Sequence, residues 1–323
     1  MTTAQLIFMY AAEELSISKA ARRAFVSQQC ASSHIRNLEE QYHAVLFIRK
    51  PVFSLTPAGI CLRDYFQQLN ILEQDITRNI AELQGDLGGS LRIGVNPTRA
   101  RLLFDNILPR FSQEFSKVRI SLSFGETLSM QKQLEEGKLD MIIGVNAAPF
   151  RHQQLLPLSS DSIYFITTKQ QLLRYAPDIL NQQTKEQAVS LSAISAFPLC
   201  CNLEDSTLMQ LIDQKLTLRQ TTLNKQYYIG DYDMQLSLCA RNITSALFPT
   251  MLLPRIREYN PASEEGSDIR IFSIPEMKDS LQIDLIQNTS VFQPRYFLRM
   301  TELLREQCHQ LRKISQSVIT SQK

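Results

Sequence analysis

The sequence lacks most of the features by which enzymes and metalloproteins are recognised. Tryptophan is absent, and the four histidines are scattered, so none lies in a Ser/His/Asp arrangement or at metal-ligand spacing. No Walker loop or dinucleotide-binding fingerprint occurs. The six cysteines show no C-x-x-C pairing, so neither a zinc site nor a disulfide framework is indicated. We therefore expect no metal, no cofactor and no enzymatic activity.

Long apolar runs and a strong charge of one sign are also missing. No stretch approaches the ~18 uninterrupted apolar residues of a membrane span, and the amino terminus lacks the basic and then apolar order of a signal peptide. The formal net charge of +2 is far from the basicity of a general nucleic-acid coat. We expect a cytoplasmic protein without membrane contact, and its 323 residues suffice for two or three folded units.

What is present is a stretch, residues 16–38, whose spacing predicts two helices joined by a tight turn. Ser18 can cap the first helix, with Ala20, Ala21 and Phe25 on its apolar side. Helix-turn-helix spacing is common in all-α domains, so this stretch alone also fits an ordinary helical pair.

The second predicted helix combines an apolar side with a polar face suited to DNA. Ser27 can cap it, and apolar positions recur every three or four residues at Cys30 or Ala31, His34 or Ile35, and Leu38. The remaining face carries short or planar hydrogen-bonding groups that can lie against base edges and phosphates. Together with Ser27, the predicted DNA contacts on this face are Gln28, Gln29, Ser32, Ser33 and Arg36. The alternative is an ordinary polar helix face.

The segments on either side complete the pattern of a winged helix. Residues 6–15 supply an earlier amphipathic helix, and residues 46–55 change to the period of two short strands that turn near Lys50-Pro51. Three helices followed by a β-hairpin make a winged helix-turn-helix, in which Arg49 and Lys50 on the wing would lie beside phosphates.

Residues 5–66 closely resemble the DNA-binding domain of the LysR-type transcriptional regulators. The matching positions are Ser16-x-Ser18-x-Ala20-Ala21, Val26-Ser27-Gln28, Ser32-x-x-Ile35-x-x-Leu38-Glu39, Leu46-Phe47-x-Arg49 and Leu55-Thr56-Pro57-Ala58-Gly59. Gln29 stands where the family usually has proline, Ala24 where it has leucine, and Tyr42-His43 where it has Leu-Gly. The resemblance implies binding to a double-stranded DNA operator as a homodimer or homotetramer, with RNA polymerase as a further partner.

A long helix is predicted from residue 57 to about residue 87, after the wing. Its apolar residues recur every three or four positions: Leu62, Phe66, Leu69, Leu72, Ile76, Ile80, Leu83 and Leu87. Such a stripe either completes an intramolecular core or pairs with a second copy of the chain. Pairing is favoured because a recognition helix reads two half-sites through two-fold geometry.

Strands and helices alternate from residue 91 onward, which predicts an α/β fold with a largely parallel sheet. Two such sets joined by two chain crossings predict two lobes with a hinged cleft, as in periplasmic binding proteins. Residues 91–305 resemble the effector-binding domain of the same regulator family. The predicted divisions are a DNA-binding domain at 1–58, a linker helix at 59–90 and an effector domain at 91–323, with lobe I at 91–161 and 269–323 and lobe II at 162–268.

The candidate effector site follows from the rule that ligands of such sheets bind beyond the carboxyl ends of the strands. Thr98 lies where a helix begins, so its hydroxyl and the free amides there favour an anion, which Arg99 or Arg101 could clamp. Alternatively, Thr98 only caps its helix and the arginines are solvated. These donors predict a cleft poor in carboxylates that binds a small carboxylate or another anion. The further candidate contacts are Thr127, Ser129, Asn146, Cys201, Asn202 and Phe248.

Cys200-Cys201 permits two interpretations. Peroxide-sensing members of the family use a cysteine near such a position, which the resemblance extends to this pair. No second cysteine follows within the next helix, since the next one is Cys239, so small buried hydrophobic residues are favoured over a redox role.

The sequence therefore favours a transcription regulator that binds specific DNA and adjusts this binding when a small molecule occupies the cleft. The rival hypothesis is an intracellular solute-binding protein or enzyme with an accessory helical domain. The absence of a nucleophile-base pair disfavours an enzyme, and the winged-helix pattern disfavours a simple binding protein.

Overall fold

The computed structural model describes residues 1–83, 88–150, 152–181, 188–259, 269–289 and 292–321. These residues form an amino-terminal helical domain, a long linker helix and two α/β lobes. None of the helices in this part of the chain is both long and apolar enough to cross a membrane.

The amino-terminal domain is a winged helix-turn-helix. Its elements are α1 (Thr3–Glu14), α2 (Ile17–Arg23), α3 (Gln28–Gln41), β1 (Phe47–Ile48) and β2 (Ser54–Leu55). The two strands pair antiparallel, which confirms the hairpin predicted around Lys50-Pro51. Phe8 is fully buried and contacts the rings of Phe47 and Phe66, with centroids 5.4 and 5.6 Å away. This aromatic contact joins the first helix, the wing and the linker.

Two predictions for the first helix of the pair were wrong. Ser16, not Ser18, is the cap of α2, because the Ser16 hydroxyl accepts from the Lys19 amide at 3.4 Å. Phe25 does not lie on the apolar side, since α2 ends at Arg23 and Phe25 occupies the turn at a φ of 56°. This conformation leaves the Phe25 side chain 96% exposed.

The linker helix α4 (Pro57–Leu83) divides its apolar stripe between two environments. Leu62 and Phe66 are buried in the winged-helix core. The following stripe residues are exposed in the single chain, namely Leu69, Leu72, Ile76, Ile80 and Leu83. The predicted end of the helix, with Leu87, lies outside the described residues.

The other side of α4 contacts the first lobe. Ile71 is buried close to Gly137, where an added Cβ would lie 2.7 Å from the Ile71 side chain. The Asp75 carboxylate, also buried, accepts a hydrogen bond from the Phe292 amide at 2.5 Å. The linker is therefore held against the effector domain of its own chain.

The first lobe contains a five-stranded sheet in the order β4-β3-β5-β12-β6. Its strands are β3 (Gly89–Val95), β4 (Val118–Phe124), β5 (Met141–Val145), β6 (Gln153–Asp161) and β12 (Leu281–Asn288). Its helices are α5 (Pro97–Glu114), α6 (Thr127–Glu135) and the long carboxyl-terminal α12 (Arg295–Ser321). α12 packs on α5 in this lobe and also contacts the second lobe.

The second lobe has a sheet in the order β11-β7-β10-β8-β9. Its strands are β7 (Ile163–Thr168), β8 (Leu199–Cys201), β9 (Lys225–Tyr228), β10 (Ser245–Pro249) and β11 (Ile269–Ser273). Its helices are α7 (Lys169–Tyr175), α8 (Pro177–Asn181), α9 (Thr207–Leu218), α10 (Tyr232–Ala240) and α11 (Ile256–Tyr259). One 3₁₀ helix, Thr250–Arg255, follows β10, and another, Pro275–Met277, lies on the return to the first lobe.

The prediction of a largely parallel sheet is confirmed for β3, β4 and β5, which pair parallel, but it was wrong for the complete sheets. Among the described strands of the two lobes, four of the eight pairings are antiparallel. The reason lies in the two crossings. β6 leaves the first lobe where β12 enters it, and β7 enters the second lobe where β11 leaves it, so each pair runs in opposite directions. Because β11 pairs with β7, residues 269–273 belong to the second lobe. The prediction that the first lobe resumes at residue 269 was therefore wrong.

Candidate DNA-binding surface and effector cavity

The predicted DNA contacts on α3 share one solvent-facing side. The Ser27 hydroxyl caps the helix by accepting from the Cys30 amide at 3.1 Å. Ala31, Ile35 and Leu38 are buried, which decides between the alternatives left by the spacing. The opposite face carries the predicted contacts: Gln28, Gln29, Ser33 and Arg36 are exposed and Ser32 is half-buried. A row of amides, hydroxyls and one guanidinium is therefore available to a DNA groove.

The two basic residues of the wing differ in their surroundings. Arg49 forms an ion pair with Glu39 at 3.5 Å, and Glu39 also accepts from the Leu46 amide at 2.9 Å. Lys50 is exposed beside it. Arg49 thus helps to hold the wing against α3. The charge of Lys50 is more accessible to a DNA phosphate than that of Arg49.

The turn of the helix pair contains a surface that sequence reasoning missed. Phe25 projects from the turn next to the amino end of α3, and Arg22 is exposed before it. Arg23 instead packs over the Tyr10 ring, at 4.1 Å from its centroid, and pairs with Glu13 at 2.6 Å. The positive φ of Phe25 exposes this side chain, and the local sequence Ala24-Phe25-Val26 does not reveal it.

A cavity of about 380 Å³ lies between the two lobes. The amino ends of α5 and α6 line it from the first lobe, and those of α9 and α10 line it from the second. The N-cap residues of these helices are Asn96, Glu126, Ser206 and Asp231. Helix amino ends carry partial positive charge, so their convergence favours a ligand with an anionic group.

The predicted effector contacts separate into two groups. The cavity wall includes Thr98, Arg99, Arg101, Thr127 and Asn202. The described lining does not include Ser129, Asn146, Cys201 or Phe248, so their predicted placement is corrected.

The four predicted residues that lie outside the wall have other structural environments. The Asn146 amide donates to the Ser280 carbonyl at 3.2 Å and its oxygen accepts from the Gln282 amide at 2.7 Å, which fixes the end of β5 to β12. Cys201 and Phe248 are buried in the core, and Ser129 is exposed. A residue's position near the end of a strand is therefore not enough to predict whether it lines the cavity or lies in the core.

The amino end of α5 offers fewer free amides than predicted. Asn96 is the cap, and its side-chain oxygen accepts from the Thr98 amide at 3.0 Å. Pro97, the next residue, has no amide hydrogen. In α6 the Thr127 hydroxyl accepts from the Val145 amide at 2.9 Å. The two threonines therefore shape the wall but offer few free donors. An anion in the cavity would depend more on a cationic side chain than on these threonines.

The prediction of a cavity poor in carboxylates was wrong. The wall contains Glu126, Asp205, Asp231 and Asp233. Arg101 and Arg255 both pair with Asp233, at 3.0 and 2.9 Å, and Asp231 accepts from the Met234 amide at 2.7 Å. Asp231 is the N-cap of α10, and Asp233 lies in its first turn. An aspartate before the apolar run was the cap signal that could have revealed it.

Arg99 remains the strongest candidate for binding an anion. Its guanidinium lies in the wall, and its Nε is buried without a hydrogen-bond partner among the described residues. The charge of Arg99 acts on Asp161, a buried residue where β6 passes to the second lobe. Burial raises the pKa of Asp161 to about 6, although Arg99, the Met251 amide and Arg312 oppose this shift. Arg99 thus connects the cavity electrostatically with the hinge.

Cys200 and Cys201 have the surroundings of core residues. Both are buried, and burial raises the pKa of Cys200 to about 11 and that of Cys201 to about 12. The reactive thiolate is therefore scarce at neutral pH. These surroundings favour the hydrophobic interpretation of the pair.

Comparison with known proteins identifies both parts of the chain. The family model "Bacterial regulatory helix-turn-helix protein, lysR family" matches residues 4–60, and "LysR substrate binding domain" matches residues 84–261. The DNA-binding transcriptional dual regulator OxyR of Escherichia coli is 34% identical over 136 residues, which are 41% of this chain and 44% of that protein. The chain spans about half the length of the curated relatives it matches.

Solved structures share the fold over nearly the whole chain. ArgP from Mycobacterium tuberculosis superposes with a TM-score of 0.64 at 15% identity, covering 95% of this chain and 97% of that one. CbnR in complex with its target DNA superposes with a TM-score of 0.54 at 18% identity, covering 95% and 100%. At these identities the likeness concerns the fold. Because the substrate-binding-domain model alone matches more than half of the chain, the protein belongs to the LysR family of transcriptional regulators.

Proposed function

We propose that the protein is a transcription regulator that binds an operator through α3 and the wing, and that a small molecule in the cavity between the lobes changes this binding. The observation that carries the proposal is the combination in one chain of a polar, solvent-facing α3 with a two-lobed domain that encloses a cavity. A solute-binding protein would need the second feature only. The chromosome is its target, so it acts in the cytoplasm, and RNA polymerase at the neighbouring promoter is the partner that it affects.

The active form is a homodimer or a homotetramer. Five residues of the apolar stripe of α4 are exposed in the single chain, from Leu69 and Leu72, each 45% exposed, to Leu83, 82% exposed. Water contact with such a stripe is unfavourable, and burial contributes roughly 25 cal/mol per Å² of apolar surface. Pairing of α4 with a second α4 would cover the stripe and place two recognition helices on two half-sites.

The effector carries an anionic group that contacts Arg99. Of the four carboxylates in the wall, Asp233 is already paired with two arginines and Asp231 bonds a backbone amide of its own helix. The four helix amino ends and Arg99 therefore remain to attract negative charge. Glu126 and Asp205 restrict where on the ligand that charge can lie.

The mechanism is a shift between lobe arrangements. A ligand that touches α5 on one lobe and α9 on the other binds best when the lobes are close together, so it favours that arrangement by its difference in affinity. A changed lobe angle alters the distance between DNA-binding domains across the oligomer. Operator affinity then depends on effector concentration.

Binding of the purified full chain to genomic DNA fragments tests the proposal directly. We expect a small set of bound fragments that share two related half-sites, at a salt concentration where bulk DNA is not retained. Equal retention of all fragments, or of none, would exclude sequence-specific DNA binding. A metabolite panel added to the same assay then finds the compounds that change the bound set.

A further inference from the structure

A second cavity, of about 180 Å³, lies behind the crossing between the lobes, and we name it the hinge cavity. Its wall is built from the end of β6, the 3₁₀ helix of the second lobe, and α12. It shares no described lining residue with the larger cavity. A molecule in the hinge cavity would touch both lobes and the helix that joins them.

The inner end of the hinge cavity holds an incompletely satisfied carboxylate. Asp161 is 3% exposed, and its Oδ1 accepts from the Met251 amide at 3.1 Å. Its Oδ2 is buried and has no hydrogen-bond partner among the described residues. A buried charged oxygen without a donor is unfavourable. The inner end therefore favours a ligand that donates hydrogen bonds, such as an ammonium group, in addition to the charges of Arg99 and Arg312 that already act on Asp161.

The outer end of the cavity carries positively charged side chains, whereas the inner end carries a carboxylate. Lys278 and Arg312 both line it and are exposed. Asp279 also lines the cavity, is exposed, and accepts from the Ser160 hydroxyl at 3.3 Å. The wall further includes the buried Cys308 and the buried Leu311 among hydroxyl-bearing residues. The two cations outnumber Asp279 at the mouth and attract an anionic group, and the side chains of Cys308 and Leu311 suit a short carbon chain.

We propose that the hinge cavity binds a small zwitterion of the amino-acid class, with its ammonium on Asp161 Oδ2 and its carboxylate at Lys278 and Arg312. One water occupies roughly 30 Å³ of liquid, so this cavity has room for about six waters' volume, which fits a short amino acid. A simple amine would leave the cations at the mouth without a partner. A simple carboxylate would bring negative charge toward Asp161.

Occupancy of the hinge cavity would act on the lobes as well. The ligand touches β6 of the first lobe and the Thr250–Arg255 helix of the second, so it stabilises the lobe arrangement in which both are in place. This regulatory consequence rests on the proposed function, whereas the binding itself does not.

Titration calorimetry on the DNA-free full chain tests the site. The probes are glycine, β-alanine and 4-aminobutyrate, with ethylamine and propionate as the matched compounds that lack one charged end. We expect saturable binding of at least one zwitterion, and at least tenfold weaker binding of both matched compounds. Absence of binding by all three zwitterions, or equal binding of ethylamine or propionate, would overturn the proposal.

Variants locate the ligand. Asp161→Asn keeps an oxygen for the Met251 amide but removes the charge, and Arg312→Ala removes an exposed cation of the mouth. We expect each to weaken zwitterion binding at least tenfold, and Lys313→Ala, the adjacent exposed cation outside the cavity wall, to leave it unchanged. If Asp161→Asn does not fold, Arg312→Ala and Lys278→Ala decide. Loss of binding in Thr98→Ala with full binding in Arg312→Ala would place the ligand in the larger cavity and refute the site.

Operator binding is measured separately on the same proteins. Zwitterion binding without any specific DNA binding would refute the proposed function and leave the hinge site standing. Specific DNA binding without zwitterion binding would refute the hinge site and leave the proposed function standing.

Discussion

Side chains on the exposed face of α3 are expected to determine operator choice. Gln28→Ala, Ser32→Ala and Arg36→Ala each remove polar groups opposite the buried Ile35, so folding should be unaffected. Loss of a bidentate base contact would weaken specific binding by ~1–3 kcal/mol relative to bulk DNA. Competition gel shifts with operator and non-operator DNA measure this difference.

The control for these substitutions is Gln41→Ala, an exposed residue at the carboxyl end of the same helix. It should leave the ratio of specific to non-specific binding unchanged. If all three variants discriminate as well as the parent, the recognition surface lies elsewhere.

Asp161 makes the stability of the protein depend on pH. Burial raises its pKa from 3.8 to about 6, so folding favours the protonated form. Its contribution to stability is therefore complete below about pH 4 and is lost as the pH rises through about 6. Between pH 4 and pH 7 the parent should lose up to about 3 kcal/mol relative to Asp161→Asn, which has no charge to bury.

Urea unfolding of both proteins at several pH values between 4 and 7 measures this change. Other titrating groups are common to the parent and the variant, so they cancel in the difference. A difference that stays constant over the range would contradict the buried, raised-pKa carboxylate.

Some residue environments followed from the sequence and others did not. Ser27, Ile35 and Leu38 were correctly assigned because helical spacing and capping are local effects. The free amide expected at Thr98 was wrong, because the Thr98 amide donates to the Asn96 side chain, and the Thr127 hydroxyl is occupied as the acceptor of the Val145 amide. Such choices depend on hydrogen bonds that neighbouring residues make in three dimensions.

At the scale of elements, the α4 stripe is expected to hold the oligomer together. Leu69 and Ile76 are 45% and 59% exposed in one chain, so Leu69→Glu with Ile76→Lys should keep the fold and place charges in the interface. We expect the double variant to sediment as a monomer at micromolar concentration, where the parent sediments as a dimer or tetramer.

The matched control for the stripe is Gln68→Glu with Thr77→Lys. It adds the same two charges to α4 at exposed positions beside the stripe and should leave the oligomer intact. A parent protein that is itself monomeric at micromolar concentration would refute the interface.

Strand β6 illustrates what sequence patterns detect poorly. Its residues are largely polar, include Pro157 and show no regular alternation of buried and exposed positions. β6 lies at the edge of its sheet, where proline is tolerated, and its register with β12 shifts beside Pro157. By contrast, β5 is buried at every position and stands out as an apolar run.

For the whole molecule, the balance between lobe arrangements should respond to anions in the larger cavity. A metabolite panel is expected to contain small anionic compounds that raise the melting temperature. A ligand at a hundred times its Kd adds ~2.7 kcal/mol of stability. Arg99→Ala should lose most of this increase, because Arg101 and Arg255 of the wall are paired with Asp233, whereas Arg99 Nε has no hydrogen-bond partner among the described residues.

Lys132→Ala is the control for the panel, since this exposed lysine of α6 is not part of the described cavity wall. It should respond to ligands as the parent does. Stabilisation by neutral or cationic compounds only, or an undiminished response in Arg99→Ala, would refute the proposal that the effector is an anion bound by Arg99.

The two-lobed plan could be predicted from the alternation of strands and helices, but its chain directions could not. Local patterns do not reveal that β12 returns beside β6, or that β11 pairs with β7 before the chain crosses back. The carboxylates of the cavity were missed for a related reason. They lie at or just before the starts of helices that are distant in sequence and meet only when both lobes are in place.

The long helix α12 constrains how the lobes can move. With 27 residues it is about 40 Å long, and Arg299 anchors it to Glu114 of α5 at 2.8 Å. Near its other end the Ser317 hydroxyl accepts from Arg257 of the second lobe at 3.2 Å, and Val318 is buried. Wide separation of the lobes would strip this helix from one of them. Only small changes of the lobe angle keep both contacts, so the regulator's two states should differ by a limited rotation of the lobes rather than by a wide opening of the cleft.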